Sequence, residues 1–253
     1  MTKDELDVLN RKLLGYLRAS AERRPRTRRT RPFLATFDDD PNIYLNYAMP
    51  DDDADPSPAD IAALIALFAE RQRKPRFEYI AGAAPKVEAA LLAAGFAIED
   101  RPPVMLCTPS MPVTMPQTHG LEVFLPITQD DLAATDRMQG EAYGSPPRGV
   151  AGLRRTLRAH GLVAAARDVA SGAIVAGGVA TPPIDGISEI AGIGTAPAFR
   201  RRGAAGAMTA LLAREAFARG WELLWLTPGG REAERIYARA GFVAVSEALH
   251  MSC

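Results

Sequence analysis

The feature that most constrains this chain is one stretch in its second half. It runs Ile187-Ser-Glu-Ile-Ala-Gly-Ile-Gly-Thr195, then Ala-Pro-Ala-Phe199, then Arg200-Arg-Arg-Gly-Ala-Ala-Gly206. An apolar strand ends, the chain turns through small residues, and a helix begins. The first amides of a helix have no partner inside it, and the positive end of the helix dipole lies there. Small residues at Gly203, Ala204, Ala205 and Gly206 let the backbone close on a bulky phosphate, and Arg200, Arg201 and Arg202 add charge. A diphosphate ligand fits this pattern. The two commoner phosphate loops are absent, since there is no G-x-x-x-x-G-K-[ST] and no G-x-G-x-x-G directly after the strand.

The rest of the chain supplies two modest domains, as 253 residues would suggest. Leucines 6, 9, 13, 14 and 17 recur at helical spacing over about 4–20. An Arg/Pro/Thr connector, 23–32, precedes expected strands at 33–37 and 43–47. Ser57-Pro58 opens a helix to about Arg71, a strand covers 77–80, and a helix from Pro85 stops at Gly95. Residues 96–107 read as strand broken by Pro102-Pro103. The proline-bearing segment 108–120 reads as a linker, which places the domains at 1–112 and 119–253. Beyond it the pattern restarts with a strand at 121–127 and helices near 129–142 and 149–160. Strands at 162–168, 173–180 and 188–195 lead to a helix from Gly203 to about Arg219. A strand at 222–227, a helix at 231–239 and a last strand pair after Gly241 complete it. The fold class expected is α+β (mixed α/β), each domain a mostly antiparallel mixed sheet flanked by helices.

The halves also resemble each other. Gly95-Phe96 and Gly241-Phe242 are 146 positions apart, as are Met105 and Met251, and Cys107 and Cys253. At that offset helix lies over helix and strand over strand from 60 to 107 without a gap, which points to a duplicated fold.

Arg-x-x-Gly-x-Ala at 200–205 resembles the Q/R-x-x-G-x-G/A signature of the GNAT acetyltransferase superfamily. The segment Ala233-Glu-Arg-Ile-Tyr237-Ala-Arg-Ala-Gly-Phe242 is similar to the A-x-x-x-Y-x-x-x-G-F of the same family. The resemblance covers 119–253 in the family's order. It implies transfer of an acetyl group from acetyl-CoA, as co-substrate, to a primary amine by direct attack. It further implies that the Arg/Gly loop binds the coenzyme A pyrophosphate and that Ile193, Gly194 and Thr195 pair with the pantetheine arm. Tyr237 then matches the family's proton donor to the departing thiolate, and Glu189 matches the strand glutamate that serves some members as general base. The family's asparagine, seven residues before the tyrosine, is replaced here by Gly230. A non-catalytic acyl-CoA-binding or sensor module is the alternative that the same loop allows.

At offset 146 the first half puts Ala54-Asp-Pro-Ser-Pro-Ala59 against Arg200–Ala205, and Leu91 against Tyr237. An acid and two prolines oppose phosphate binding, so this half reads as a degenerate copy that supports its partner. Thirty basic residues balance thirty acidic ones, so no global field favours nucleic acid or membrane. The run Arg23–Arg31 is read as a connector pairing with the nearby Asp runs. Two cysteines and three scattered histidines offer no disulfide framework and no metal spacing, and no metal is expected. Ser145 and Ser246 lack a nucleophile-elbow context. No signal peptide or spanning segment is read, so the expected location is cytoplasmic, the acceptor a small-molecule or peptide amine, and the assembly a monomer or homodimer.

Overall fold

A computed structural model describes residues 1–253 apart from 41, 43, 44 and 145–148, so Ile43, Tyr44 and Ser145 of the reading above lie outside the described residues. In chain order the elements are α1 (Lys3–Glu22), β1 (Arg28–Thr30), β2 (Phe33–Thr36), β3 (Tyr47–Pro50), α2 (Pro58–Ala69), β4 (Arg76–Ile80), α3 (Val87–Ala93), β5 (Ala97–Asp100) and β6 (Pro103–Cys107). There follow β7 (Leu121–Phe124), α4 (Gln129–Ala142), α5 (Ala151–Arg158), β8 (Leu162–Asp168), β9 (Ile174–Ala180), β10 (Ile187–Thr195), α6 (Ala204–Ala218), β11 (Leu223–Leu226), α7 (Arg231–Ala240) and β12 (Val243–Ser252). They form two compact units, one of Met1–Val104 with Val245–Cys253, the other of Met105–Ala244.

This division differs from 1–112 and 119–253 in a specific way. The end of the chain belongs to the first unit, where β12 pairs antiparallel with β4 through Leu249↔Tyr79 and Met251↔Phe77. Residues 105–107 belong to the second, where β6 pairs antiparallel with β11 through Leu224↔Cys107 and Leu226↔Met105. The expected terminal strand pair is one continuous strand, β12. The segment 108–120 is no free linker either. Thr114 N–H donates to the Ala240 carbonyl at 3.3 Å and His119 N–H to the Arg202 carbonyl at 3.1 Å. Its prolines exclude regular structure but leave carbonyls and side chains able to dock.

In the first unit the strand order is β1-β2-β3-β4-β12, with β5 also on β12. Only β3 and β4 run parallel. Its core centres on Phe77, whose ring lies 5.1 Å from that of Phe33 and 5.6 Å from that of Phe96. β3 is Tyr47–Pro50, and Asn46 just before it is held by hydrogen bonds outside the sheet. Its side chain accepts from Asp38 N–H and donates to the carbonyls of Asp40 and Asn42. The arginine run contributes β1 and does meet the acidic runs, through Arg26–Asp39 and Arg29–Asp51.

The second unit has the order β6-β11-β10-β9-β8-β7, again with one parallel pair, β10 and β11. Side chains alternate across a strand. Leu162, Ala164 and Ala176 accordingly pack with Met208, Leu212 and other residues of α6, while Val163 packs with Leu132 of α4 and Leu153 of α5. Small residues on the strands let both helices lie close. A Cβ on Gly177 would stand 2.6 Å from the Thr135 side chain of α4. The elements keep the offset read from the sequence: α2 starts at Pro58 and α6 at Ala204, 146 positions later.

Because β12 supplies the neighbour of β4, deleting residues 245–253 should expose the β4 amides, 76–80, to rapid hydrogen exchange. Protection of the β8–β9 ladder in the second unit should persist. Equal loss in both sheets would show that the last nine residues are not specific to the first unit.

Candidate functional site

The site is built where β10 leaves β11. The parallel pairing covers only Ile187↔Leu223, Ser188↔Leu224 and Glu189↔Trp225. From Ile190 to Thr195 β10 continues without a β11 partner, so the strands splay and Glu189 stands at the apex. The other edge of β10 stays on β9, but its register slips between Ala191 and Gly194. Gly192 and Ile193 together oppose Gly178, and Gly192 has φ +62. That is a β-bulge with glycine in the left-handed position, which bends the strand and strengthens its twist.

Backbone polarity after the bulge follows from one hydrogen bond. Ala196 N–H donates to the Val175 carbonyl at 2.8 Å, so Gly194 faces β9 and the Thr195 amide faces away from it. Of the three residues read as a pantetheine edge, Gly194 is therefore turned into the ladder. Thr195 C=O accepts from Arg200 Nε at 3.3 Å.

The turn after β10 delivers the chain to α6, whose N-cap is Gly203 at φ +88. No side chain caps this helix. Its first internal bond is Ala207 N–H to Gly203 C=O, and the amides of Ala204, Ala205 and Gly206 have no partner among the described residues. The short helices α3, α5 and α7 also start without a side-chain cap, whereas three others are closed by one. Thr2 caps α1, Ser57 caps α2 and Thr128 caps α4. An uncapped start with three unpaired donors is the arrangement that takes an anion.

The three arginines separate in role. Arg202 is a structural tie: its guanidinium donates to the carbonyls of His119 and Gly120 and pairs with Asp168 at 3.1 Å. Hydrogen bonds from Ser171, and then the contact with Arg202, hold the Asp168 carboxyl below the usual range. Arg200 and Arg201 are exposed, and Arg201 adopts φ +62. Arg201 lines a cavity of about 460 Å³ beside Gly203 and Gly206, together with His119, Arg235 and Arg239. One carboxylate, Glu232, shares the lining, and among the described residues none of Arg201, Arg235 and Arg239 has an acidic partner. Arg235 and Arg239 were missed by the sequence reading. Their signal was present, since Arg231, Arg235 and Arg239 recur every four residues on α7 around Tyr237.

Tyr237 lies on α7, 8% exposed. Burial and the neighbouring Tyr143 hydroxyl push its phenol up to about 12, so it keeps its proton at neutral pH. Tyr143 is the C-cap of α4, and sequence reasoning missed it. The residue as a whole is exposed, yet its hydroxyl is turned inward, donates to the Ile193 carbonyl at 3.1 Å and has its pKa raised by burial there. One turn earlier on α4, Gln139 Nε2 donates to the Gly192 carbonyl at 2.8 Å. The helix face Thr135, Met138, Gln139, Ala142, Tyr143 could have flagged both. Cys107 is buried and its thiol pushed up to about 11, which disqualifies it as a nucleophile at neutral pH.

Residues 131–242 match the model of the acetyltransferase (GNAT) family. Among solved structures, the GCN5-related N-acetyltransferase from Kribbella flavida superposes with a TM-score of 0.80 at 26% identity, over 96% of this chain and 95% of its own. One from Sphaerobacter thermophilus gives 0.66 at 18% identity, over 88% of this chain and 76% of its own. A tandem GNAT protein from the clavulanic acid biosynthesis pathway gives 0.56 at 14% identity, over 77% and 68%. At those identities the last two speak to fold alone. No curated protein matches the sequence.

Two outcomes follow from this geometry. A Cβ at Gly203 would stand 2.3 Å from the Gln117 carbonyl as well as requiring positive φ. Gly203→Ala should therefore cost about 1–3 kcal/mol in urea unfolding without any ligand, and wild-type stability would remove this constraint. Tyr237 should titrate near 12 rather than 10 in a 295 nm absorbance series against Tyr237→Phe. Its raised folded pKa contributes stability that is whole below pH 10 and is lost as pH climbs toward 12.

Proposed function

We propose, from the match of residues 131–242 to the GNAT acetyltransferase family model, that this protein moves an acetyl group from acetyl-CoA to the primary amine of a small molecule or peptide. The observation that carries the reading is the uncapped start of α6. Three amides are unpaired there, and Gly203 and Gly206 of that start line a cavity edged by Arg201, Arg235 and Arg239. A coenzyme A diphosphate supplies the charge those groups lack. From there the pantetheine arm runs toward the β10–β11 splay, where the Thr195 amide faces away from β9.

The acceptor nitrogen attacks the thioester carbon, and the carbonyl oxygen carries the negative charge of the tetrahedral intermediate. Collapse breaks the C–S bond, and Tyr237 gives its proton to the departing thiolate. The proton shed by the amine passes to Glu189 or to water. Glu189 suits this because it stands at the apex of the splay, the last residue paired to β11. The amine is mainly protonated at neutral pH and must lose a proton before it attacks.

The first unit is read as a degenerate copy, on a stronger ground than residue charge. Position 57 corresponds to 203, and Ser57 caps its own helix there. Ser57 Oγ accepts from Asp60 N–H, while the Asp60 carboxylate accepts from Ser57 N–H and Oγ–H. Pro58 offers no N–H, the Asp60 amide is taken by Ser57, and a carboxylate occupies the anion position.

Calorimetry should accordingly find one acetyl-CoA per chain, and an amine panel should release free thiol. Tyr237→Phe should lower kcat by about 10²–10³-fold with coenzyme affinity held within about twofold. Glu189→Gln should lower turnover at pH 7 and recover part of it at pH 9, where free amine is abundant. Acetyl-CoA bound without thiol release for any amine would instead identify a non-catalytic binding module.

A further inference from the structure

The last turn of α4 is docked on the bulge of β10. Neither Gly192 nor Ile193 has a register partner in β9, so the ladder does not fix the Gly192–Ile193 peptide, while the next peptide is tied to β9 through Gly194. Two side chains grip the carbonyls here. Gln139 holds the Gly192 carbonyl at 2.8 Å, and Tyr143, four residues on, holds the Ile193 carbonyl at 3.1 Å. The fit is close. A Cβ on Gly192 would stand 3.0 Å from Gln139 Nε2, and one on Gly194 would stand 2.8 Å from Ala142 Cβ.

The Gly192–Ile193 peptide is trans, so its C=O and its N–H point in opposite directions. A donor on α4 that grips the oxygen end therefore aims the hydrogen end, the Ile193 N–H, away from α4. We propose that Gln139 is a positioning residue for acyl transfer, which aims the Ile193 amide at the oxygen of the reacting thioester by holding the Gly192 carbonyl. Gln139 makes and breaks no bond to substrate. When the amine adds to the thioester carbon, the oxygen gains negative charge and takes a hydrogen bond from Ile193 N–H. When the C–S bond breaks, the oxygen returns to a carbonyl and the thiolate leaves. A donor already aimed at the oxyanion costs no reorganisation at that moment. A plane free to rotate about Gly192, whose φ of +62 no side chain constrains, would have to be ordered during the step.

The inference rests on the acyl-transfer reading above, and its test separates the two. Gln139→Glu keeps the shape and replaces the donor with a carboxylate that repels the Gly192 carbonyl. Gln139→Leu removes the polar group altogether, and Gln139→Lys keeps a donor of similar reach. In the full chain, with acetyl-CoA and an amine that the wild type accepts, Glu and Leu should each lower kcat by about 10²-fold. Acetyl-CoA Kd and thermal midpoint should stay close to wild type, and Lys should recover at least about tenfold of the loss. Turnover of Gln139→Leu equal to wild type overturns the proposal, and so does a loss that Lys shares in full. A fall in coenzyme affinity matching the fall in kcat also overturns it, because the group would then be holding the ligand. A wild type that binds acetyl-CoA but acylates no amine overturns the acyl-transfer reading and this inference together. An active wild type with unaffected variants overturns the inference alone.

Discussion

The second unit depends on two residues of β10 standing opposite one residue of β9. That mismatch at Gly192 and Ile193 bends the strand, and the bend fits the place where β10 parts from β11 after Glu189. It also dictates the glycines around it. Gly177, Gly178, Gly192 and Gly194 each lie where a Cβ would come within 3.0 Å of a neighbouring side chain, from Thr135, Ile193, Gln139 and Ala142. The absence of side chains at 177, 192 and 194 lets α4 settle on β9 and β10 closely enough to reach the backbone of the bulge, and their absence at 178 makes room for Ile193. A strand without the extra residue would continue its ladder and present no open edge.

The two corresponding helix starts, α2 and α6, show the trade between capping and binding. At Ser57 the side chain closes the helix, which adds about 1 kcal/mol of stability. At Gly203 the cap is absent and the amides stay open. The capped helix has its Asp60 amide taken and a carboxylate at its start, and the uncapped helix gives that stability up to leave its donors open. The loss is met by tight packing elsewhere on α6, where Ala207, Met208, Ala210, Leu212, Ala213 and Ala216 are all buried.

Much of this was legible in the sequence because it is written in local chemistry. The period of α6, the turn at Gly203 and the strand ending at Thr195 each follow from short windows, and the helix breakers at Gly95 and Gly241 stand at observed ends. What escaped was long-range. Nothing within residues 243–253 says that this strand leaves the second unit, because a strand pattern names no partner. Arg202 looked like its two neighbours and is instead bound to Asp168, 34 positions away. The prolines of 108–120 suggested an undocked linker, and only the folded chain shows that Gln117 and Pro116 press on Gly203 and Gly206. Tyr143 and Gln139 sat in plain view on a helix whose polar residues follow no code until the strand beneath them is known.

The placement of β12 has a consequence for how the chain is made. Synthesis runs from the N-terminus at about 5–20 residues per second, and domains ordinarily fold as they emerge. Here the neighbour of β4 lies at residues 248–252, so every residue of the second unit is translated first. Until then Phe77 and Tyr79 belong to a sheet with an unfilled place, an open edge of the kind that recruits foreign strands. The first unit is thus first in sequence and last to be completed.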